Sequence, residues 1–214
     1  MKKRLAVIDY GMGNLHSVIK AMQHEKIPAV LTDRPEIIAA CAGIILPGVG
    51  AFNDAIREIK KRKIFSFIKE EVKKGKPIMG ICLGMQLLFT KSYEFGEHAG
   101  FGFIKGTVRK FNKSTKVPHI GWNSAEPAKK KSAIMKGIKD RSFFYFVHSY
   151  YASASDKNVV LTKTRYGNTI FTSAVESGNV FGFQFHPEKS SEKGLRIYKN
   201  FYEICVKSGS VKED

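Results

Sequence analysis

Residues 80–86 read Gly-Ile-Cys-Leu-Gly-Met-Gln, which sets Cys82 between glycines two residues away on either side. Gly-x-Cys-x-Gly has the spacing of a nucleophile elbow, a sharp strand-to-helix turn better known with serine. The glycines let neighbouring backbone come close while the side chain points out of the turn. Cysteine attacks as its thiolate, and a helix starting directly after Cys82 would favour that anion through its unpaired N–H groups and dipole. An isolated free cysteine is more often a small buried hydrophobe; the elbow spacing favours the nucleophile.

A cysteine nucleophile needs a base and a group that orients the base. Of the six histidines, His16 and His24 fall in the first helix, His98 in a loop, and His119 in a loop after Pro118. His148 and His186 stand at strand positions, and only His186 has an acid close by, in Phe185-His186-Pro187-Glu188. Pro187 biases His186 toward extended backbone, and in an extended chain residues two apart point the same way. Glu188 can then hold the imidazole tautomer, giving a Cys82–His186–Glu188 triad for acyl transfer. His148 is the reserve base and reads better as a hydrogen-bonded histidine beside the site. The developing oxyanion needs donors. The Leu83 N–H, directly after the nucleophile, is the first. The second would come from Val49 or Gly50 in Pro47-Gly48-Val49-Gly50-Ala51, whose glycines also let a peptide plane reorient.

These residues must be carried to one place. In the first half, apolar runs at 5–9, 29–31, 43–46 and 78–81 alternate with helical patterns at 14–25, 35–42 and 52–74. Near-continuous apolar strands with helices between them predict an open, mostly parallel central sheet covered by helices on both faces. Ligands on such a sheet bind beyond the carboxyl ends of the strands, where the loops 11–14, 47–51 and 82–84 arrive. Gly11-x-Gly13 lacks the third glycine and acidic partner of a dinucleotide site and reads as a tight turn. In the second half, strands at 106–111, 143–151, 159–165, 168–176 and 180–185 look like antiparallel additions to the sheet, and a helix at 192–207 closes an α/β fold. With no repeat or low-complexity linker, residues 1–214 are expected to form one domain.

Composition excludes several classes. No stretch reaches the ~18 apolar residues of a membrane helix, and the N-terminal apolar run is too short for a signal peptide. Cys41, Cys82 and Cys205 are odd in number and widely spaced, which fits neither a disulfide framework nor a zinc site and points to a reducing cytoplasm. The formal net charge is +17, and residues 105–141 hold eleven Lys/Arg against Glu126 and Asp140. That excess could serve a phosphate-rich partner, whether nucleic acid or a phosphorylated small molecule. Phe111 and Trp122 form no stacking ladder, however, and Lys129-Lys130-Lys131 looks like an exposed loop, so a solvated basic face is the expectation.

The elbow with Phe185-His186-Pro187-Glu188 resembles the triad-type (class I) glutamine amidotransferases. Asp9-Tyr10-Gly11-Met12-Gly13-Asn14-Leu15, Leu46-Pro47-Gly48-Val49-Gly50-Ala51-Phe52, Pro118-His119-Ile120-Gly121-Trp122-Asn123 and Tyr145-Phe146-Val147-His148-Ser149-Tyr150 narrow the likeness to the glutaminase subunits of imidazole glycerol phosphate synthases. The resemblance implies that Cys82, with His186 and Glu188, hydrolyses glutamine to glutamate and ammonia without a metal or cofactor. Gln86 and Glu94 would hold the substrate's polar groups, and Gly48, Gly50 and the His148-Ser149-Tyr150 strand would line its pocket. Ammonia would pass to a (β/α)₈-barrel cyclase subunit in histidine biosynthesis, with Asn14 and Trp122 at or near that interface. Paralogues that feed other synthases, for example in surface-sugar amidination, would carry the same motifs.

Overall fold

A computed structural model describes residues 3–112, 116–128 and 132–208. The chain begins with β1 (Leu5–Ile8), α1 (Leu15–His24), β2 (Ala29–Thr32), α2 (Pro35–Ala40) and β3 (Gly43–Leu46). Then come α3 (Phe52–Lys61), α4 (Phe65–Lys73), β4 (Ile78–Ile81) and the short α5 (Leu83–Leu87). Strands β5 (Phe89–Ser92), β6 (His98–Ala99), β7 (Ile104–Lys110), β8 (His119–Pro127), β9 (Ser142–His148) and β10 (Tyr150–Ala154) follow. The chain ends with β11 (Val160–Tyr166), β12 (Thr169–Ser177), β13 (Val180–Phe183) and α6 (Ser191–Ser208).

Among the described residues the strands form one sheet whose main path runs β2-β1-β3-β4-β13-β12-β10-β7-β5-β6. Its first five strands are mutually parallel. Alternate residues of β1 supply opposite faces: Ala6 and Ile8 pack with α3 and α4 through Phe52, Ile56, Ile59 and Ile68, while Leu5 and Val7 pack with α1 and α6 through Val18, Met22, Ile197 and Phe201. Every residue of β1, β3 and β4 is buried, the mark of a parallel sheet covered on both sides. At about 1.5–3 kcal/mol for each fully buried large apolar side chain, these two layers stabilise the sheet that carries the edge loops. Gly11 takes φ +82 and its N–H bonds to the Asp9 carboxylate at 3.0 Å, so the chain bends sharply just after β1.

The second half departs from the sequence reading in three places. Strand β13 is not an antiparallel addition: it pairs parallel to β4, with Phe183 opposite Ile81. The reason is the hairpin before it, since β12 already runs against the central strands and the turn around Gly178 (φ +57) reverses the chain once more. Residues 143–151 are two strands, broken at Ser149. His119 opens strand β8 rather than lying in a loop. The helix after Cys82 stops at Leu87, and Phe89 enters β5. Lys113 and Lys129-Lys130-Lys131, part of the basic run, lie outside the described residues.

Candidate active site

Strand β4 delivers Cys82 at φ +53 and ψ −110, a conformation that costs a non-glycine residue about 1–3 kcal/mol and persists only where the surroundings over-determine it. They do. The Cys82 N–H donates to the Phe183 carbonyl at 2.7 Å, and the Cys82 carbonyl accepts the Gln86 N–H at 3.2 Å. Both glycines of the elbow are sites of close approach. A Cβ on Gly80 would lie 2.6 Å from the Gly84 carbonyl oxygen, and one on Gly84 would lie 1.8 Å from that of Leu46. The helix after Cys82 is only five residues long, so it contributes its first N–H groups rather than a long dipole.

The parallel register carries β13 out at the same edge of the sheet as β4, and His186 follows three residues later. Its N–H donates to the Tyr145 carbonyl at 2.9 Å, and Ser190 Oγ donates to the His186 carbonyl at 2.6 Å. The Glu188 carboxylate accepts from His186 Nδ1 at 2.7 Å, with both side chains almost fully buried. The contact arises differently from the extended-chain expectation: residues 187–189 form a 3₁₀ turn, which folds the carboxylate back onto the ring. Tyr198 of α6 donates to the other Glu188 oxygen at 3.4 Å.

On the far side of the ring, Nε2 is buried with no formed hydrogen bond among the described residues. Cys82 is nonetheless close enough to govern the ring's charge. Burial alone would lower the His186 pKa; Cys82, and after it Glu188, outweigh that and raise it to about 10. The arrangement therefore favours the imidazolium form of His186. The cysteine sulfur also receives the Gln184 Nε2 amide at 3.8 Å and lies 3.8 Å from the Val147 carbonyl.

Cys82 and His186 open into a cavity of about 260 Å³, whose wall also includes Val49, Gly50, Leu83, Gln86, Glu94, His148, Ser149 and Tyr150. Of the predicted pocket residues only Gly48 is set back. It is buried, and a Cβ there would meet the Tyr10 hydroxyl at 2.4 Å and Leu83 Cβ at 3.0 Å. Gly50 has φ +94, as expected of a loop that turns sharply over the elbow. Glu94 is anchored from an unexpected direction: its Oε2 accepts the Phe52 N–H at the start of α3 at 2.7 Å. Burial raises its pKa, and that N–H partly offsets the effect. Gln86 spends both amide hydrogens inside the protein, on the Tyr150 carbonyl at 2.9 Å and Gln184 Oε1 at 3.0 Å.

Asn14 caps α1 by accepting the Ser17 N–H. Trp122 is 53% exposed on the β8–β9 pair, edge-on to Tyr145, and is not a core aromatic. His16, His24 and His98 stay outside the cavity wall. Among the described residues no group of His, Cys, Asp and Glu could hold a metal, and no helix is long and apolar enough to cross a membrane. Three supporting residues escaped the sequence reading: Tyr10, which donates to the Pro47 carbonyl at 2.7 Å, Gln184 and Tyr198. Gln184 carried a readable signal, standing two residues before His186 in an extended run. Tyr10 and Tyr198 carried none: Pro47 lies 37 residues from Tyr10, and Tyr198 reaches Glu188 only through the docking of α6.

Comparison with known proteins bears on the same residues. The sequence profile of the family "Glutamine amidotransferase class-I" matches residues 6–205, which takes in the elbow and the His-Pro-Glu turn. The chain belongs to the class I glutamine amidotransferases. Relatives within the family include the imidazole glycerol phosphate synthase subunit HisH of Aquifex aeolicus, 51% identical over 199 residues, 92% of this chain and 95% of that one. The subunit of the same name from Moorella thermoacetica is 45% identical over 206 residues, 96% and 97% of the two chains. Among solved structures, that of PurLQS from Thermotoga maritima superposes with a TM-score of 0.74 over 95% of this chain and 99% of its own, at 23% identity. A crystal structure titled as a glutamine amidotransferase gives 0.71 at 18% identity, over 94% and 98%. At those identities the structural likeness speaks to the amidotransferase fold, and the sequence relatives speak to the subfamily.

Proposed function

We propose that this chain is the glutaminase subunit of an imidazole glycerol phosphate synthase, a single amidotransferase domain over residues 1–214 that works in the cytoplasm with a (β/α)₈-barrel cyclase. The observation that carries the chemistry is the 2.7 Å His186–Glu188 bond beside a Cys82 held at positive φ. Glutamine enters the cavity with its side-chain amide over Cys82. The thiolate attacks the amide carbon, and the oxygen gathers negative charge. The N–H of Leu83 and one from Val49 or Gly50 stabilise that oxyanion, each worth roughly 10²–10³ in rate. His186 gives its Nε2 proton to the departing nitrogen, and the C–N bond breaks to leave a thioester and ammonia. His186 then takes a proton from water as it attacks the thioester, and the C–S bond breaks to release glutamate and restore the thiolate. Glu188 keeps Nδ1 protonated throughout and stabilises the imidazolium.

Glu94, Gln86 and the His148-Ser149-Tyr150 segment bound the space for the substrate's polar groups. Ammonia is useful to the cyclase only unprotonated, so it has to leave through a covered path rather than through solvent. The exposed apolar side chains of Ile120, Trp122 and Phe143 on the β8–β9 pair, with Val49 at the cavity mouth, support a docked partner over this face. Asn14 belongs to the same proposed interface. Glutamate release from glutamine, measured with and without the cyclase, tests the reading. Cys82→Ala should reduce the complex's turnover to background while its thermal melt stays near that of the parent. Full turnover in that variant would overturn the triad. Reconstitution with an imidazole glycerol phosphate cyclase, but not with a sugar-amidinating synthetase, is the expected partner specificity.

A further inference from the structure

One buried polar side chain has no part in the chemistry above, His119. This residue opens β8 and faces His148, the last residue of β9, across the antiparallel pair. Both are buried, at 2% and 6% exposure. His148 Nδ1 lies 2.8 Å from the Tyr150 carbonyl, and a carbonyl only accepts, so Nδ1 carries the proton. In a neutral ring Nε2 must then accept. Its partner at 3.0 Å is His119 Nδ1, which must be the donor. His119 Nε2 in turn accepts from Asn123 Nδ2 at 3.3 Å, and that amide also donates to the Arg165 carbonyl at 2.9 Å.

One assignment of protons thus satisfies all four ring nitrogens. A second proton on either ring would set N–H against N–H somewhere along the chain, and burial keeps both rings neutral by pushing their pKa values down to about 4 for His119 and about 3 for His148. The plane of His119 is fixed as well, with Tyr166 stacked on it at 4.0 Å. Toward the cavity the bonds continue without a break. The Tyr150 carbonyl that accepts from His148 also accepts from Gln86, Gln86 donates to Gln184, and Gln184 donates to the Cys82 sulfur.

We propose that His119 is a positioning residue: its Nδ1–H holds His148 in the tautomer that clamps the Tyr150 carbonyl, and so sets the Ser149–Tyr150 wall and Gln86 against Cys82. His119 is absent from the cavity wall. It acts through His148. The inference rests on the cavity being the glutamine site.

The test uses the complex with its cyclase and two substitutions that differ in which ring nitrogen they imitate. An asparagine amide nitrogen overlays Nδ1, and a glutamine amide nitrogen overlays Nε2. His119→Gln, which removes the donor, should raise KM for glutamine about tenfold or more, by analogy with the 10–100-fold losses when the partner orienting a metal-bound histidine is removed, with a smaller change in kcat. His119→Asn, which keeps the donor, should stay within about threefold of the parent on that same scale. Equal KM in all three proteins overturns the proposal. So does an equal loss in both variants, which would mark His119 as packing alone. Should either variant fail to fold, ¹⁵N imidazole shifts of the unaltered protein decide: Nδ1–H on both rings is expected, and Nε2–H on His148 refutes the proposal. If the unaltered complex hydrolyses no glutamine, the reading of the cavity itself fails and takes this inference with it, a result distinct from a parent that turns over beside insensitive variants.

Discussion

Gly84→Ala is the sharpest probe of how the elbow is built. In an unconstrained helix the change should help, because alanine is about 1 kcal/mol better than glycine there. The structure gives the opposite sign. The new methyl would stand 1.8 Å from the Leu46 carbonyl oxygen and 2.8 Å from its carbon. Carbon–oxygen contacts settle near 3.3 Å or beyond, so the end of β3 and the start of α5 must part by about 1.5 Å. Both sides are backbone, and neither can turn a side chain out of the way. Overpacking costs about 1–3 kcal/mol, and with rigid backbone on both sides about 2–3 of that applies, which leaves a net loss of roughly 1–2 kcal/mol after the helix gain. For a chain of this size that lowers Tm by about 2–8 °C. The larger effect falls on chemistry, since the same separation pulls Leu83 away from Val49 and Gly50. A misplacement near 1 Å costs about 10²-fold in rate. Thermal melts of the isolated chain and glutamine turnover in the complex measure the two effects. A Gly84→Ala protein as stable as the parent, with turnover intact, would show that the elbow is not clamped against β3 and would refute this account of how Cys82 is held.

Three other outcomes follow from the same geometry. Glu188→Gln keeps a hydrogen-bonding group on His186 Nδ1 but removes the buried charge, and kcat should fall about 10²–10⁴-fold with little change in KM; a loss under tenfold would remove Glu188 from the triad. Trp122→Ala should weaken the complex by about 2 kcal/mol, some thirtyfold in Kd, while the isolated chain keeps its basal turnover; calorimetric titration with the cyclase reads this directly, and an unchanged Kd would move the interface elsewhere. The buried histidines predict a pH profile of opposite slopes. His119 and His148 have folded pKa values below the ordinary 6.5, so the unfolded chain binds more protons and stability falls as pH drops from about 6.5 toward 4. His186, raised to about 10, contributes stability that is fully present below 6.5 and lost as pH climbs toward 10. Melting curves across pH 4–10 should therefore peak near 6–7, and His119→Asn should flatten the acid limb; a curve still rising at pH 9 would contradict the His186 assignment.

The parts of this protein legible in its sequence are those whose causes are local. Gly80, Cys82 and Gly84 sit within five residues, so a strand-to-helix turn with an outward sulfur can be read from spacing alone. Glu188 lies two residues from His186, and some contact between them was legible, though the 3₁₀ turn that makes it was not. The first half of the sheet was legible because apolar runs and helical periodicity each recur over short windows. Strands β5, β6 and β8 were missed: β5 follows an apolar helical run directly, β6 has only two residues, and β8 takes its order from pairing with β9.

What the tertiary structure decided is every relation across long stretches of chain. Whether residue 186 meets residue 82 depended on β13 pairing parallel to β4, which hangs on the direction of β12 before it. Glu94 reaching the Phe52 N–H, Tyr10 holding Pro47, and His119 fixing His148 are likewise set by which strands and helices lie side by side. Side-chain chemistry and backbone strain are properties of a few neighbouring residues and are written where those residues stand. Distance between remote segments is a property of sheet order and register, which emerges only when both faces of the sheet are buried together.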